Sequence, residues 1–412
     1  MNTATTEATE IAGLVADRLA TPEQGRALAE DRWWPQSLAH GAAGVVLLHI
    51  ERARTGHGPW DRVQRWLDCA VAEGVDSSPS AHLYYGAPAV AFVLHQAATV
   101  RPGYERELAR LDKAVARIVV SRLERARARM DAGGLPLLSE FDTIRGLTGL
   151  GALLLARDPQ SLLLRDVLAY LVRLTEPVTL HGRTLPGWWS PVGPGGRVDA
   201  AFPGGHANTG MAHGIAGPLT LLAAALRRGI KADGHAEAIQ RILAWLDTWQ
   251  RSSPAGAWWP YWVTRAQLDE TRGPVGPQRP SWCYGAAGAA RAQLLAADAL
   301  GDQRRYAAAQ STLARVFTEE PMTLDSSLCH GRTGLAVLAH ATALGNAPGL
   351  CAALSDGDAE AMADELLAGA GIGLLEGAAG IATALHTLHT PSPDMEWATF
   401  LLLDRQKHHA DG

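Results

Sequence analysis

The sequence predicts an all-α protein: a closed α/α toroid of seven helix-pair repeats, with inner and outer layers and a small β-containing extension. Three observations predict it. A polar or aromatic residue followed by Gly-x-x-Gly and an apolar run recurs along the whole chain. The runs that these glycines open are apolar nearly all round, while the segments between them are amphipathic. The first glycines, Gly41, Gly86, Gly146, Gly214, Gly285, Gly331 and Gly377, are 45, 60, 68, 71, 46 and 46 residues apart. A floor near 45 residues fits one helix pair per repeat, and the excess marks insertions.

The elements follow in order. Ile11, Leu14, Val15 and Leu19 share one helical face, and Thr21-Pro22-Glu-Gln24 reads as the cap and first turn of a second helix. The repeats then open at His40-Gly-Ala-Ala-Gly44, Arg145-Gly-Leu-Thr-Gly149, His213-Gly-Ile-Ala-Gly217, Tyr284-Gly-Ala-Ala-Gly288, His330-Gly-Arg-Thr-Gly334 and Glu376-Gly-Ala-Ala-Gly380. A seventh copy, Tyr85-Gly-Ala-Pro88-Ala89, has lost its second glycine, which puts the local helix geometry in doubt. Runs such as Val45 to Leu48 and Leu335 to Leu338 read as inner helices buried on both sides. Arg62 to Glu73 and Ala236 to Trp249 read as half-exposed outer ones. Closing seven such pairs into a ring removes the end faces that an open solenoid must cap.

Glycine at a helix start permits a tight turn and close backbone approach beside the unpaired N–H groups of the first turn. His40, Tyr85, Arg145, His213, Tyr284, His330 and Glu376 are therefore expected around one mouth of the barrel. Two stretches do not read as helix. Residues 177–207 carry Gly/Pro clusters and Trp188-Trp189; residues 252–280 carry Trp258-Trp259-Pro-Tyr261-Trp262-Val263, an aromatic, β-branched run. Both are expected to form short strands near the mouth, inserted into a single domain of residues 1–412. The Trp258–Trp262 run is an expected contact for a peptide, since exposed aromatics are common anchors.

Composition narrows the function. Lys and Arg number 37 against 42 Asp and Glu, a net charge of −5 with no basic block, which excludes binding nucleic acid by counterion release. With 47% hydrophobic and 19% charged residues the chain is globular, not disordered. No apolar run is long enough to cross a bilayer. The opening segment carries Glu7 and Glu10 without a basic residue, so no secretory signal is expected. Four cysteines, Cys69, Cys283, Cys329 and Cys351, are too few for a disulfide framework, and a cytoplasmic protein with reduced thiols is expected.

Two of those cysteines share a repeat position. Cys283 and Cys329 each stand two residues before a helix-opening glycine, on neighbouring repeats, and His330 follows Cys329. A toroid sets consecutive inner-helix starts side by side, so the three converge. Two thiolates and an imidazole suit Zn²⁺, and three protein ligands leave a fourth position open. Cys69 and Cys351, in charged or mixed outer-layer sequence, read as small core residues.

The motifs Ser281-Trp282-Cys283-Tyr284-Gly285, Ser327-Leu328-Cys329-His330-Gly331 and Met211-Ala212-His213-Gly214 resemble the signatures of the lanthionine synthetase C-like family of lanthipeptide cyclases, and the likeness runs through all seven repeats. The resemblance implies one Zn²⁺ held by Cys283, Cys329 and His330. It also implies functional roles for His213, Asp142 (in Glu140-Phe-Asp142-Thr-Ile-Arg145), Arg279 (in Gln278-Arg279-Pro280-Ser-Trp282-Cys283) and Tyr284. The implied reaction is Michael-type addition of a peptide cysteine thiol to dehydroalanine or dehydrobutyrine, giving a (methyl)lanthionine thioether ring. The implied partners are a dehydrated precursor peptide with leader and core, and a dehydratase and exporter in a biosynthetic complex, which would bring a cytoplasmic protein to the membrane periphery.

A thiol of pKa ~8.5 is only ~3% ionised at pH 7, so full ionisation is worth about thirtyfold. The accompanying loss of nucleophilicity, with a Brønsted slope of roughly 0.4–0.5, returns most of that. The metal's larger contribution is therefore to hold the sulfur in place. Addition leaves an enolate to be protonated at Cα. His213 is the natural proton donor, with Tyr284 as another. Asp142 is expected to orient or charge His213, and Arg279 to stabilise the enolate oxygen.

Rival readings fit less well. A protein prenyltransferase β-type subunit needs a basic diphosphate cluster, and the basic residues here are dispersed. A toroidal glycosidase needs two inner carboxylates and leaves the zinc set unexplained. A glutathione-adding relative would share the site, and a non-catalytic peptide scaffold would not need His213 intact.

Overall fold

The computed structural model describes residues 3–29, 32–180, 182–254, 256–270, 273, 276–318, 324–345, 347–354, 358–390 and 395–403. Along the chain the helices are α1 (Thr3–Arg18), α2 (Pro22–Leu28), α3 (Ala42–Arg54), α4 (Trp60–Val71), α5 (Ala87–Val100), α6 (Glu105–Asp131), α7 (Leu138–Phe141), α8 (Leu147–Arg157), α9 (Leu162–Leu174), α10 (Ala216–Arg227), α11 (His235–Trp249), α12 (Arg265–Glu270), α13 (Ala286–Leu300), α14 (Gln303–Thr318), α15 (Arg332–Thr342), α16 (Ala347–Leu350), α17 (Ala359–Ala370) and α18 (Ala378–His389). The chain forms two compact units, Met1–Val115 with Met322–Gly412, and Ala116–Pro321.

In the first unit the helices opened by Gly-x-x-Gly are buried all round. Every residue from Ala42 to Glu51 in α3 and from Ala378 to Thr387 in α18 is buried. Helix α3 packs against α18 and α5, and α15 packs against α18. The amphipathic helices cover them: α4 lies on α3, and α1 lies on α18 and α17. Helix α4 buries Val63, Trp66, Leu67 and Ala70, the spacing of one helical face. The indole of Trp66 donates to the Leu19 carbonyl at 3.0 Å, satisfying a polar atom taken out of water. Thr21 and Gln24 cap α2 reciprocally, as the sequence predicts.

The second unit repeats the plan. Helix α10 packs between α8 and α13, while α9, α11 and α14 lie outside α8, α10 and α13 respectively. Helix α13 is buried from Ala286 through Ala297.

The turns before the inner helices explain the glycine pattern. A Cβ at Gly334 would overlap the Leu328 carbonyl oxygen, so the second glycine is where the incoming loop crosses the helix. The doubt raised by Pro88 is not realised. Helix α5 forms intact because Pro88 falls in its first turn, where a backbone N–H has no intrahelical acceptor anyway.

Adjacent turns within each unit are joined by backbone hydrogen bonds between residues two or three positions before the helix-opening glycines. In the first unit Cys329 N–H donates to Leu375, Leu374 N–H to Ala39 and Leu38 N–H to Tyr84, at 2.9, 3.2 and 3.0 Å. In the second, Thr143 N–H donates to Ala212 and Met211 N–H to Cys283, at 3.0 and 2.9 Å. These bonds bring residues far apart in sequence onto neighbouring turns, 69 and 72 residues apart in the second unit.

Six short strands occupy the two insertions: β1 (Val178–Leu180), β2 (Arg183–Leu185), β3 (His206–Asn208), β4 (Arg251–Ser253), β5 (Gly256–Trp258) and β6 (Trp262–Thr264). They pair antiparallel as β1–β2, β4–β5 and β3–β6, the last joining the two insertions with Asn208 opposite Trp262. Residues 181, 255, 271, 272, 274 and 275 of these insertions lie outside the described residues. Trp258 and Trp259 are 5% and 3% exposed, and the Trp259 indole donates to the Leu246 carbonyl. Both are core residues, which removes them as surface anchors. Among the described residues no helix is long and apolar enough to cross a membrane.

Candidate active site and metal centre

The turn before an inner helix has a fixed hydrogen-bonding scheme. Three residues before the turn's last N–H, a serine Oγ accepts it: Ser37 from His40, Ser281 from Tyr284 and Ser327 from His330, at 3.1, 3.4 and 3.2 Å. In the turn before α8 that position is Asp142. Its Oδ1 accepts from the N–H groups of Arg145 and Gly146 at 2.6 and 2.7 Å. A carboxylate has a second oxygen to offer, and Oδ2 of Asp142 lies 2.7 Å from Nδ1 of His213 on the adjacent turn. Asp142 is buried, with its side chain 2% exposed, whereas that of His213 is 38% exposed. The carboxylate thus holds the proton on Nδ1 and leaves Nε2 as the working nitrogen.

Tyr284 stands beside this pair, its ring centroid 6.5 Å from that of His213. The insertions hold it. Tyr261 packs against Tyr284 at 5.0 Å and Trp262 meets it edge-on at 6.2 Å. Asn208, fully buried at the end of β3, donates its amide to the Tyr284 hydroxyl at 3.0 Å. Arg279 anchors the same wall through its backbone: its carbonyl accepts from the Tyr261 hydroxyl at 2.9 Å. Burial pushes the Tyr261 phenol above its usual range, the Arg279 charge pulls it back, and the Cys283 sulfur pushes it up again.

Cys283 is buried, and Cys329 and His330 are half-buried. The three offer one ligand atom each, and these atoms lie within 4.8 Å of one another, the one such group among the described residues. A tetrahedral Zn²⁺ with arms of about 2.3 Å to sulfur sets its ligand atoms roughly 3.5–4 Å apart, a spacing within the 4.8 Å limit of this group. Two soft sulfurs and an imidazole are also the donor types zinc prefers over magnesium or calcium. His330 is oriented for the task. Its Nε2 lies 2.8 Å from Asp325 Oδ2, and Asp325 Oδ1 accepts from Ser327 N–H at 2.8 Å. Its Nδ1 lies 4.0 Å from Glu376 Oε1, so carboxylates flank the ring on both nitrogens, and a fixed carboxylate of this kind orients a metal-binding imidazole.

Comparison with known proteins follows this geometry closely. A family model for lanthionine synthetase C-like proteins matches residues 32–402. The chain belongs to the lanthionine synthetase C-like family. A solved structure titled nisin cyclase is similar over 92% of this chain and 95% of that one, with a TM-score of 0.74 at 20% sequence identity. At that identity the likeness establishes the fold, which is the α/α toroid expected from the repeat. No curated protein sequence matches.

For this family member the residues singled out by sequence divide by unit. Asp142, His213, Tyr284 and Arg279 sit together in the second unit, with Asp142 and His213 in direct contact and Arg279 reaching Tyr284 through Tyr261. Sequence reasoning misses Asn208 and Asp325, and names Tyr261 only within the Trp258–Trp262 run. Asp325 and Asn208 hold one repeat position: the carbonyl of each accepts the first N–H of the following helix, from Arg332 and Ile215, at 2.8 and 2.9 Å. Asp76 does the same for Ala87 at 2.7 Å.

Proposed function

We propose that this chain is a zinc-dependent lanthipeptide cyclase, which adds peptide cysteine thiols to dehydroalanine or dehydrobutyrine to form thioether rings. The observation that carries the reading is the Cys283, Cys329 and His330 donor set, with ligand atoms within 4.8 Å, together with an imidazole–carboxylate pair one turn away on the His213 loop. Family membership over residues 32–402 supports it independently. The residues present suit the metal: three protein ligands of zinc-preferring type, a second-sphere carboxylate in Asp325, and no fourth protein ligand in the group. When bound, Zn²⁺ would supply activation and placement of the substrate sulfur.

The chain's own residues carry the proton. His213 accepts the thiol proton at Nε2 while Asp142 stabilises the charge that arrives on the ring. The sulfur attacks Cβ, the S–C bond forms, and the π electrons move into the neighbouring carbonyl as an enolate. His213 then returns the proton from Nε2 to Cα, so no proton is gained or lost overall. Asp142 makes this relay directional, because its other oxygen is held by two backbone N–H groups and cannot turn away. In this reading Arg279 and Tyr284 are the donors to the enolate oxygen. The implied partners are a dehydrated precursor peptide and the dehydratase and exporter that handle the same peptide.

The test is incubation with a dehydrated, cysteine-containing peptide, followed by thiol alkylation and mass measurement. Cyclisation leaves peptide mass unchanged and removes one alkylation per ring. Loss of alkylation that a chelator prevents is the expected result; unchanged alkylation with enzyme present contradicts the proposal.

A further inference from the structure

We infer that Trp34 is a substrate-binding residue: its indole takes an aromatic or large aliphatic side chain of the peptide, about five or six residues along the chain from the cysteine that reacts. The inference rests on the cyclase reading and adds to it a docking point on the rim.

The path from the candidate metal ligands to Trp34 lies within the first unit and runs from turn to turn. Cys329 N–H donates to Leu375 and Leu374 N–H to Ala39, at 2.9 and 3.2 Å, which sets the turns before α15, α18 and α3 side by side. Side chains on these turns follow the same order. Glu376 Oε1 lies 4.0 Å from His330 Nδ1. Burial lowers the His40 imidazole below its usual range, and the Glu376 charge pulls it part of the way back. His40 is therefore neutral at pH 7, and it meets the Trp34 indole edge-on with ring centroids 5.6 Å apart. An imidazole ligand, a carboxylate, a neutral imidazole and an indole thus succeed one another along one rim.

The exposure of Trp34 is what marks it. The chain has 13 tryptophans, and Trp34, at 47%, is the one aromatic side chain among the described large hydrophobics left exposed. Its backbone is held in place: the N–H donates to the His40 carbonyl at 3.4 Å, and the carbonyl accepts from Ser37 N–H at 2.8 Å. That carbonyl also packs on Gly41, where a Cβ would overlap it. An indole on a fixed turn offers a broad apolar surface and loses little conformational freedom when a partner covers it. Tryptophan in such a setting is a common carrier of binding energy. The occupant is the substrate peptide, because the surface is continuous with the centre that would hold its thiol. Packed helices have axes about 8–10 Å apart, so two steps place the Trp34 turn roughly 16–20 Å round the rim from Cys329. An extended peptide advances about 3.3 Å per residue and covers that distance in about five or six residues.

The test is binding of labelled cysteine peptides to the zinc-loaded enzyme, measured by fluorescence anisotropy. Alanine stands in for each dehydro residue so that nothing reacts, and a single phenylalanine is moved stepwise away from the cysteine on either side. Affinity should rise about three- to tenfold, the worth of one aromatic pair, at a position about four to seven residues away on one side. Trp34→Ala should flatten the scan to the level of a phenylalanine-free peptide, whereas Trp34→Tyr, which keeps a ring, should retain the peak. The wild-type scan decides without any variant: a flat scan or a peak outside that window overturns the inference, as does a peak that survives Trp34→Ala. The dehydrated counterpart of the same peptide, assayed by thiol alkylation, separates the two readings. Thioether formation beside a flat scan overturns the docking point alone, and a wild-type enzyme that forms no thioether overturns the cyclase reading and the inference with it.

Discussion

Replacing Asp142 with asparagine isolates the relay at the centre of the proposed mechanism. The carboxylate makes three hydrogen bonds: Oδ1 with Arg145 and Gly146 N–H at 2.6 and 2.7 Å, and Oδ2 with His213 Nδ1 at 2.7 Å. An asparagine could keep the first two only with its oxygen on that side, since its NH₂ would face two donors otherwise. The amide nitrogen is then forced against His213, where it donates to Nδ1 and drives the imidazole proton to Nε2. In that tautomer Nε2 cannot take up the thiol proton, and no buried charge remains to stabilise the imidazolium. The same wrong-tautomer effect on a carboxylate-oriented catalytic histidine lowers kcat by about 10⁴ in serine proteases. Here, where the sulfur has separate help, a fall of about 10²–10⁴ is expected with the fold and zinc content unchanged. Asp142→Ser gives a second arm. It restores the residue found at the equivalent turns, Ser37, Ser281 and Ser327, so the loop stays capped while His213 loses its partner. Initial rates of thiol loss at saturating peptide, by alkylation and mass, measure both variants. An Asp142→Asn enzyme within threefold of wild type would refute the relay.

Other perturbations report on separate parts of the account. Cys329→Ala should lose both bound zinc and turnover, whereas His213→Ala should keep one zinc per chain and lose thioether formation, as measured by metal analysis beside the alkylation assay. Gly285→Ala places a side chain at φ +87 and ψ −159, against the Arg279 carbonyl, and should lower stability by at least about 2 kcal/mol in urea titration. Gly301→Ala at the other end of α13, φ +70 with open space beyond, should cost only about 1 kcal/mol. Burial holds His49 and His386 at about 4, below the 6.5 of a free imidazole. A depressed histidine pKa gives stability that is complete above 6.5 and is lost as pH falls towards 4. Unfolding free energy should therefore drop by about 2 kcal/mol per histidine between pH 7 and pH 5, and a urea midpoint constant across that range would contradict their burial.

The repeat and the metal ligands were legible because their signals are local and in phase. Seven glycine turns fix where each inner helix begins, and that phase alone aligns Cys283 with Cys329. The second repeat was legible too, since Pro88 does no harm in a first turn. Asp142 needed a resemblance, because a carboxylate at a capping position looks like any other helix-start residue until its second oxygen is seen to reach His213. Asn208 and Asp325 escaped for a different reason. Their equivalence lies in which helix N–H their carbonyl accepts, and the loop between is not of constant length: Asp76 precedes its glycine by ten residues, and Asp325 and Asn208 precede theirs by six. Tyr261 and Trp262 were visible as an aromatic run, but the same composition suits a surface anchor and a packed wall. The β3–β6 register decides in favour of the wall around Tyr284.

X-ray absorption at the zinc edge tests most directly whether Cys283, Cys329 and His330 form a centre that receives the substrate thiol. The purified enzyme should show two sulfurs near 2.3 Å and nitrogen near 2.0 Å, and addition of a cysteine-containing peptide should raise the count to three sulfurs. Enzyme that holds no zinc, or a zinc environment that the peptide leaves unchanged, would contradict the account.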